Sequence, residues 1–192
     1  MSIQARRERE RAERERLIIE AARELAENEG WEAVTTRRLA ERVEYSQPVL
    51  YSHFKGKDAI MAAVAVEGCA DLAVELRAGR LAADGPEEAL AAVADAYSSF
   101  AERRPALYDA IFSQRVDLPF ATPEAPAALQ AAFGELREAV RPFAGDDDLG
   151  LLTETFWSGL HGLVTLMRDG RLPREAHARR VAILLARFGS GL

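Results

Sequence analysis

Between residues 36 and 57 the chain gathers side chains suited to gripping an anion and meeting hydrogen-bonding edges. Five basic residues (Arg37, Arg38, Arg42, Lys55, Lys57) stand there against two acidic ones (Glu41, Glu44), and the chain's only two lysines are among them. Arg37 and Lys57 fall at helix starts, where the dipole disfavours a cation, so their placement points to an external anion. Gln47, Pro48, Tyr51 and Ser52 share the outward side of one short helix, because Leu50 and Phe54 at i,i+4 take the inward side. Gln, Pro and Tyr exposed together on so short a helix are unusual for a merely solvated face. Bond-breaking chemistry has no comparable constellation: there is no glycine-rich phosphate loop, no G-x-S-x-G elbow and no His pair at metal spacing. Carboxylates are plentiful, so composition alone leaves acid–base catalysis open as the weakest alternative.

The elements that position these groups are helical throughout. Residues 6–16 form a polar Arg/Glu run in which Glu10 and Arg14 have the favoured i,i+4 order. An apolar stripe follows at Ile18, Ala21, Ala22, Leu25 and Ala26, and Gly30 is expected to end the helix as a left-handed cap. The run itself reads as a solvated helix end, or alternatively as an arm reaching a minor groove. Two segments of about seven residues come next, near 37–43 and 47–54; helices that short are marginal alone and must pack on the first. Thr36 is expected to cap one, with Leu39, Ala40 and Val43 inward, and Ser46 to cap the other. Pro48 is tolerated in a first turn, whose amides have no intrahelical partner. Helix, tight turn and helix in this order form the geometry that lays a second helix in a DNA major groove. On that reading Thr36, Tyr51 and Lys57 contact phosphates, Arg37, Gln47 and Pro48 contact bases, and Ser52 and His53 serve either role, with Ser46 beside them.

The string TTRRLAERVEYSQPVLYSHFKGK, Thr35 to Lys57, resembles the tetracycline repressor (TetR) family of bacterial transcriptional regulators. Thr36, Leu39-Ala40, Leu50-Tyr51, Phe54 and Lys57 match the family's pattern in order, spacing and type. One position departs: Glu44 stands where the family usually has Gly in a left-handed turn, so either the turn is strained, at a cost on the order of 1 kcal/mol, or its conformation differs. Farther on, Trp157-x-x-x-His161-Gly162 is similar to the Trp-His-Gly signature of one C-terminal subfamily. The resemblance implies a regulator that binds a double-stranded DNA operator as a homodimer, most simply a repressor responding to a small-molecule effector, without a cofactor, in the cytoplasm. The competing class is a helical scaffold or small-molecule-binding protein with a non-functional reading head.

Beyond Gly56 the pattern gives helices near 57–78, 86–104, 105–114, 127–143, 148–169 and 173–188, with a proline-bearing loop at 117–126. The expected fold is all-α with about nine helices: a helix-turn-helix head over residues 1–56 and a ligand-binding and dimerisation domain over 57–192. Aromatic residues recur at helical spacing in the second part, and an aromatic stripe is more often core than binding site. Phe100, Tyr108, Phe112, Trp157 and His161 are the candidates for an apolar effector, His161 being equally readable as a core histidine bonded to a hydroxyl or carbonyl. Leu151, Leu152, Phe156, Leu160, Leu163, Val164, Val181, Leu184, Leu185 and Phe188 exceed what one neighbouring helix would cover and suggest a four-helix dimer interface.

Composition bounds the rest. With 192 residues the chain can bury a large core without disulfide or metal, and a single cysteine, Cys69, excludes an internal disulfide. Net charge is −6, yet residues 1–60 carry 12 basic and 12 acidic side chains, so the excess belongs to 61–192. No apolar run approaches the ~20 residues that span a bilayer, and the Arg/Glu opening is unlike a signal peptide.

Overall fold

A computed structural model describes residues 2–112, 118–119, 122 and 124–189. Among these residues there are nine α-helices and no strand: α1 Ile3–Glu29, α2 Thr36–Arg42, α3 Gln47–His53, α4 Lys57–Ala82, α5 Pro86–Arg103, α6 Pro105–Phe112, α7 Ala127–Val140, α8 Leu149–Arg168 and α9 His177–Gly189. Single 3-10 turns occupy Trp31–Ala33, Arg141–Phe143 and Arg174–Ala176. The loop expected at 117–126 lies largely outside the described residues. Contacts divide the chain into two compact units, Met1–Gly68 with Arg104–Pro126, and Cys69–Arg103 with Ala127–Leu192.

In the first unit α1 is the base. Ser2 caps it, its hydroxyl accepting from Ala5 N at 3.2 Å, and the polar run is continuous helix. Glu10 pairs with Arg6 at 3.4 Å, not with Arg14 as its spacing suggested. Arg11–Glu15 and Arg16–Glu20 add two further i,i+4 pairs. Such exposed pairs, screened by water and salt, add little to stability. Burial begins at Ile18, and with Ala22, Leu25 and Ala26 it supports Leu39 and Ala40 of α2 and Leu50 of α3, while α1 also packs on α6. Gly30 does have positive φ, but at φ 81° and ψ 164° it is extended rather than left-handed helical, a region open essentially to glycine alone. The chain thereby turns Trp31 into the core, where its Nε1 donates to the carbonyl of Ala106 at 2.8 Å. The Glu27 carboxylate accepts from Ala106 N and Leu107 N at 3.1 and 3.0 Å, supplying the partners that the first amides of α6 lack within their own helix.

The cap of α2 is Thr35, one residue before the expected Thr36; its hydroxyl accepts from Arg38 N at 3.2 Å. Ser46 occupies the N-cap position of α3 with extended backbone, but its side chain makes no capping bond. Between them Glu44 has φ 57°, the one positive-φ non-glycine residue described. Tyr45 N donates to Ala40 O at 2.9 Å and Glu44 N to Glu41 O at 3.4 Å. That pair of bonds is the Schellman ending, in which glycine usually takes the left-handed position.

In the second unit α8 packs on α7 and α9, and α5 packs on all three. Tyr97, Phe100, Phe156, Leu160 and Val164 are fully enclosed, and Val181 nearly so. This corrects part of the interface expectation: Phe156, Leu160, Val164 and Val181 are core within the unit. Of the residues proposed for the interface, Leu151 remains largely exposed; Leu166 and Ile183 join it on the outside.

Relief of the left-handed residue is measurable. Glycine removes a cost of about 1–2 kcal/mol at φ > 0 and restores about 0.4–1 kcal/mol of unfolded-chain entropy. Glu44→Gly is therefore expected to stabilise the protein by roughly 0.5–1 kcal/mol, read from denaturant midpoints; a clear loss of stability would contradict the turn described.

Candidate nucleic-acid interface

Leu50 decides which way α3 faces. Its side chain is fully buried, so Gln47, Pro48, Val49, Tyr51 and Ser52 are left exposed. Pro48 sits in the first turn, where no N–H is needed. Ser52 Oγ donates to Val49 O at 2.6 Å, which holds that hydroxyl along the helix. Val49, 39% exposed between Pro48 and Tyr51, escaped the sequence reading. Its position about 100° around the axis from Leu50 was the available signal. Its side chain is apolar and open to solvent there.

The start of α2 joins this face. Thr36 Oγ1 lies 3.4 Å from the Tyr51 hydroxyl, linking two of the expected phosphate contacts across the turn. Arg37, beside Thr36, is engaged by Glu41 at 3.0 Å, with the two side chains 78% and 63% exposed. So exposed a pair opens at little cost, and a guanidinium is released toward any stronger anion. Arg38 and Arg42 are instead bound back to α1, to Glu29 at 2.8 Å and Glu24 at 2.6 Å. The Glu29 carboxyl is held below the usual carboxylate range by its hydrogen bond from Arg38.

Two candidates do not share the open face. The His53 side chain is 6% exposed, and its Nδ1 lies 3.3 Å from Glu15 Oε1 of α1. It braces the end of α3. Lys57 donates from Nζ to Trp31 O at 2.6 Å and is half-buried. One of its three N–H groups thus ties the start of α4 to the turn after α1, leaving two for another partner.

The aromatic candidates divide between the units. Tyr108 and Phe112 belong to the first, with ring centroids 4.8 Å apart at 60°. Phe100, Trp157 and His161 belong to the second, where the central residue is Tyr97, a member of the aromatic stripe that was not among the effector candidates. Trp157 Nε1 donates to the Tyr97 hydroxyl at 3.1 Å, and that hydroxyl lies 3.2 Å from His161 Nδ1. His161 Nε2 is 3.4 Å from Thr165 Oγ1. An indole can only donate, so the phenol oxygen accepts from Trp157; with the phenol proton on Nδ1, Nε2–H goes to Thr165. A neutral imidazole suits this chain, and burial, with Arg168 adding to it, pushes His161 below its ordinary pKa. His161 is thus a hydroxyl-bonded histidine. Cys69 is buried and its thiol is pushed up to about 12, leaving little thiolate to react. Among the described residues no group of three or more His, Cys, Asp or Glu converges on a metal position, and no helix is long and apolar enough to cross a membrane.

The family described as bacterial regulatory proteins, tetR family, matches residues 18–64, and the tetracyclin repressor-like C-terminal domain matches residues 90–188. An uncharacterized HTH-type transcriptional regulator of Mycobacterium tuberculosis is 30% identical over 157 residues, covering 80% of this chain and 69% of that protein. The class C tetracycline repressor of Escherichia coli is 52% identical over 48 residues, 25% of this chain and 22% of the repressor. Among solved structures, a Rhodococcus protein of unknown function superposes with a TM-score of 0.77 at 23% identity, covering 93% of this chain and 94% of that one. The TetR family regulator PfmR of Thermus thermophilus gives 0.62 at 22% identity, covering 91% and 98%. At these identities the structural matches speak for the fold.

The depressed histidines set a pH dependence. His161 and His177 are both held below the ordinary 6.5, chiefly by burial. As pH falls through that value the unfolded chain takes up protons before the folded one, so stability is lost on acidification. Unfolding midpoints are expected to fall between pH 7.5 and 5.5, less steeply in His161→Gln; stability rising over that window would contradict the burial.

Proposed function

The chain belongs to the tetR family of bacterial transcriptional regulators, and from that premise we propose a homodimeric repressor that leaves a palindromic operator when a small, largely apolar effector binds. DNA-binding regulation is the family's activity; the observation that carries its assignment to particular residues is the open face of α3. Leu50 anchors the helix, and Gln47, Pro48, Val49 and Tyr51 face outward beside Thr36 and Arg37. Gln47, Pro48 and Arg37 reach base edges in this reading, while Thr36, Tyr51 and the two remaining donors of Lys57 hold phosphates, with Ser46 and Ser52 at the margin. His53 acts through its brace to Glu15. A bacterial operator places the protein in the cytoplasm.

Residues 1–56 are the reading head in this proposal, and 57–192 bind the effector and dimerise. The exposed Leu151 and Leu166 of α8 and Ile183 of α9, at 65%, 41% and 55%, support a second copy as their cover. The Trp157–Tyr97–His161 chain, with the likeness of Trp157, His161 and Gly162 to the Trp-His-Gly subfamily, supports an effector site where a neutral imidazole and a phenol meet a mostly apolar ligand. Phe100, of the same unit, is carried as its candidate apolar wall. Such an effector releases DNA by preferring the non-binding state, and coupling of about 1–3 kcal/mol weakens operator affinity roughly 5- to 150-fold.

A duplex selected by the full chain from a random library provides the test. Footprinting is expected to show two symmetric half-sites about one helical turn, roughly 34–36 Å, or a multiple apart. Arg37→Ala is expected to cost about 1–3 kcal/mol at one base pair per half-site. Lys57→Ala is expected to weaken all sequences alike and lower the salt slope by about 0.9. A single asymmetric half-site contradicts the dimer, and an Arg37→Ala loss equal on every sequence contradicts the base contact.

A further inference from the structure

The first half of α1 contributes no buried side chain to the core. Between Ile3 and Glu15 no side chain is buried, and the first enclosed residues are Ile18 and Ile19. A helix with one face on a core commonly turns polar all round where the core stops. Here the core-facing line continues in one residue type. Stepping back from Ile18 by four, three and four residues gives Arg14, Arg11 and Arg7. At 3.6 residues per turn all three lie within about 40° of Ile18 around the axis, and Glu8, Glu10, Glu13 and Glu15 fall outside that strip.

One contact shows what lies on that side. Glu15, about 60° from Ile18 around the axis, reaches His53 at the end of α3 at 3.3 Å. The arginine strip therefore continues past the end of α3, and Arg7 to Arg14 covers about 10 Å. The strip is held in register by the Ser2 cap and by Gln4 to Glu8 at 3.3 Å. Arg11 meets Glu15 at 2.8 Å with both side chains partly exposed, and neither Arg7 nor Arg14 makes an ion pair among the described residues. These three guanidinium groups are held in line without a protein partner that uses them all.

We infer that Arg7, Arg11 and Arg14 form a second DNA-contacting element, which takes the phosphate backbone beside the groove that α3 enters. The inference rests on the DNA-binding reading of α3 and extends its footprint. A recognition helix places its N-terminal residues at the bases, and its other end comes out toward the strand backbone; in this chain that end is His53, where the strip begins. Guanidinium forks match phosphate oxygens bidentately, and a phosphate competes for the largely exposed Arg11 with the partly exposed Glu15. The negative charge of the remaining chain repels DNA elsewhere, which sharpens the value of a basic strip at this edge.

The test compares two triple variants of the full chain on the selected duplex and on a mixed-sequence duplex, across 50–200 mM salt. One is Arg7→Gln, Arg11→Gln, Arg14→Gln; the other is Arg6→Gln, Arg9→Gln, Arg16→Gln, with the same charge loss off the strip. The first is expected to lower the slope of log affinity against log salt by roughly 2–3, about 0.9 per lost phosphate contact. Its preference among sequences should stay unchanged, and the second variant should keep a near wild-type slope. Equal slopes in the two triples, or no change in the first, overturn the arm while leaving α3 as the reader. Wild-type chain that binds no duplex overturns both. Thermal midpoints of the triples check that the helix and head persist, since none of the six side chains is buried.

Discussion

A helix of seven residues fixes its backbone at nearly full entropic cost and gains few hydrogen bonds in return, so it does not persist in water by itself. Both α2 and α3 are of that length. They exist because Leu39 and Leu50 are completely enclosed against the apolar line of α1, each burial being worth about 1.5–3 kcal/mol. From that anchoring the rest of the site follows. Leu50 inward forces Gln47, Pro48, Val49 and Tyr51 outward, and Tyr51 outward brings its hydroxyl to Thr36.

A second set of constraints gathers at the turn after α1. Lys57 donates to Trp31 O, Trp31 Nε1 donates to Ala106 O, and Glu27 accepts the first amides of α6. Each satisfies a group that would cost about 1–3 kcal/mol if left buried and unpaired. Gly30, in a conformation few other residues adopt, makes the convergence geometrically available. Lys57 thus has two tasks, fixing the start of α4 and, in the proposed reading, holding a phosphate. His53 is committed to the scaffold by its contact with Glu15.

Elements with a period were legible in the sequence. The apolar line from Ile18 to Ala26 has 3.6-residue spacing, Gly30 ends α1 at positive φ though not as the left-handed cap expected, and Leu50 fixed the outward set. Position-exact features were less so: Thr35 and Thr36 are equally good caps by type, and only the path of the backbone into α2 selects Thr35. Bonds between distant segments left no periodic trace. Nothing local in Glu27, Lys57 or Tyr97 announces partners 26 to 80 residues away. The apolar content of α8 and α9 was legible as excess, but apolar type alone does not separate Phe156 and Val181, which fill the unit's own core, from Leu151 and Ile183, which remain outside.

The account turns on the outward face of α3 entering a major groove, and methylation interference on the selected duplex tests it directly. Dimethyl sulfate marks guanine N7 in the major groove and adenine N3 in the minor groove. The account predicts that N7 methylation blocks binding at symmetric positions, and that Gln47→Ala removes the interference at one position of each half-site. Interference confined to adenine N3, or an N7 pattern indifferent to Gln47, would contradict it.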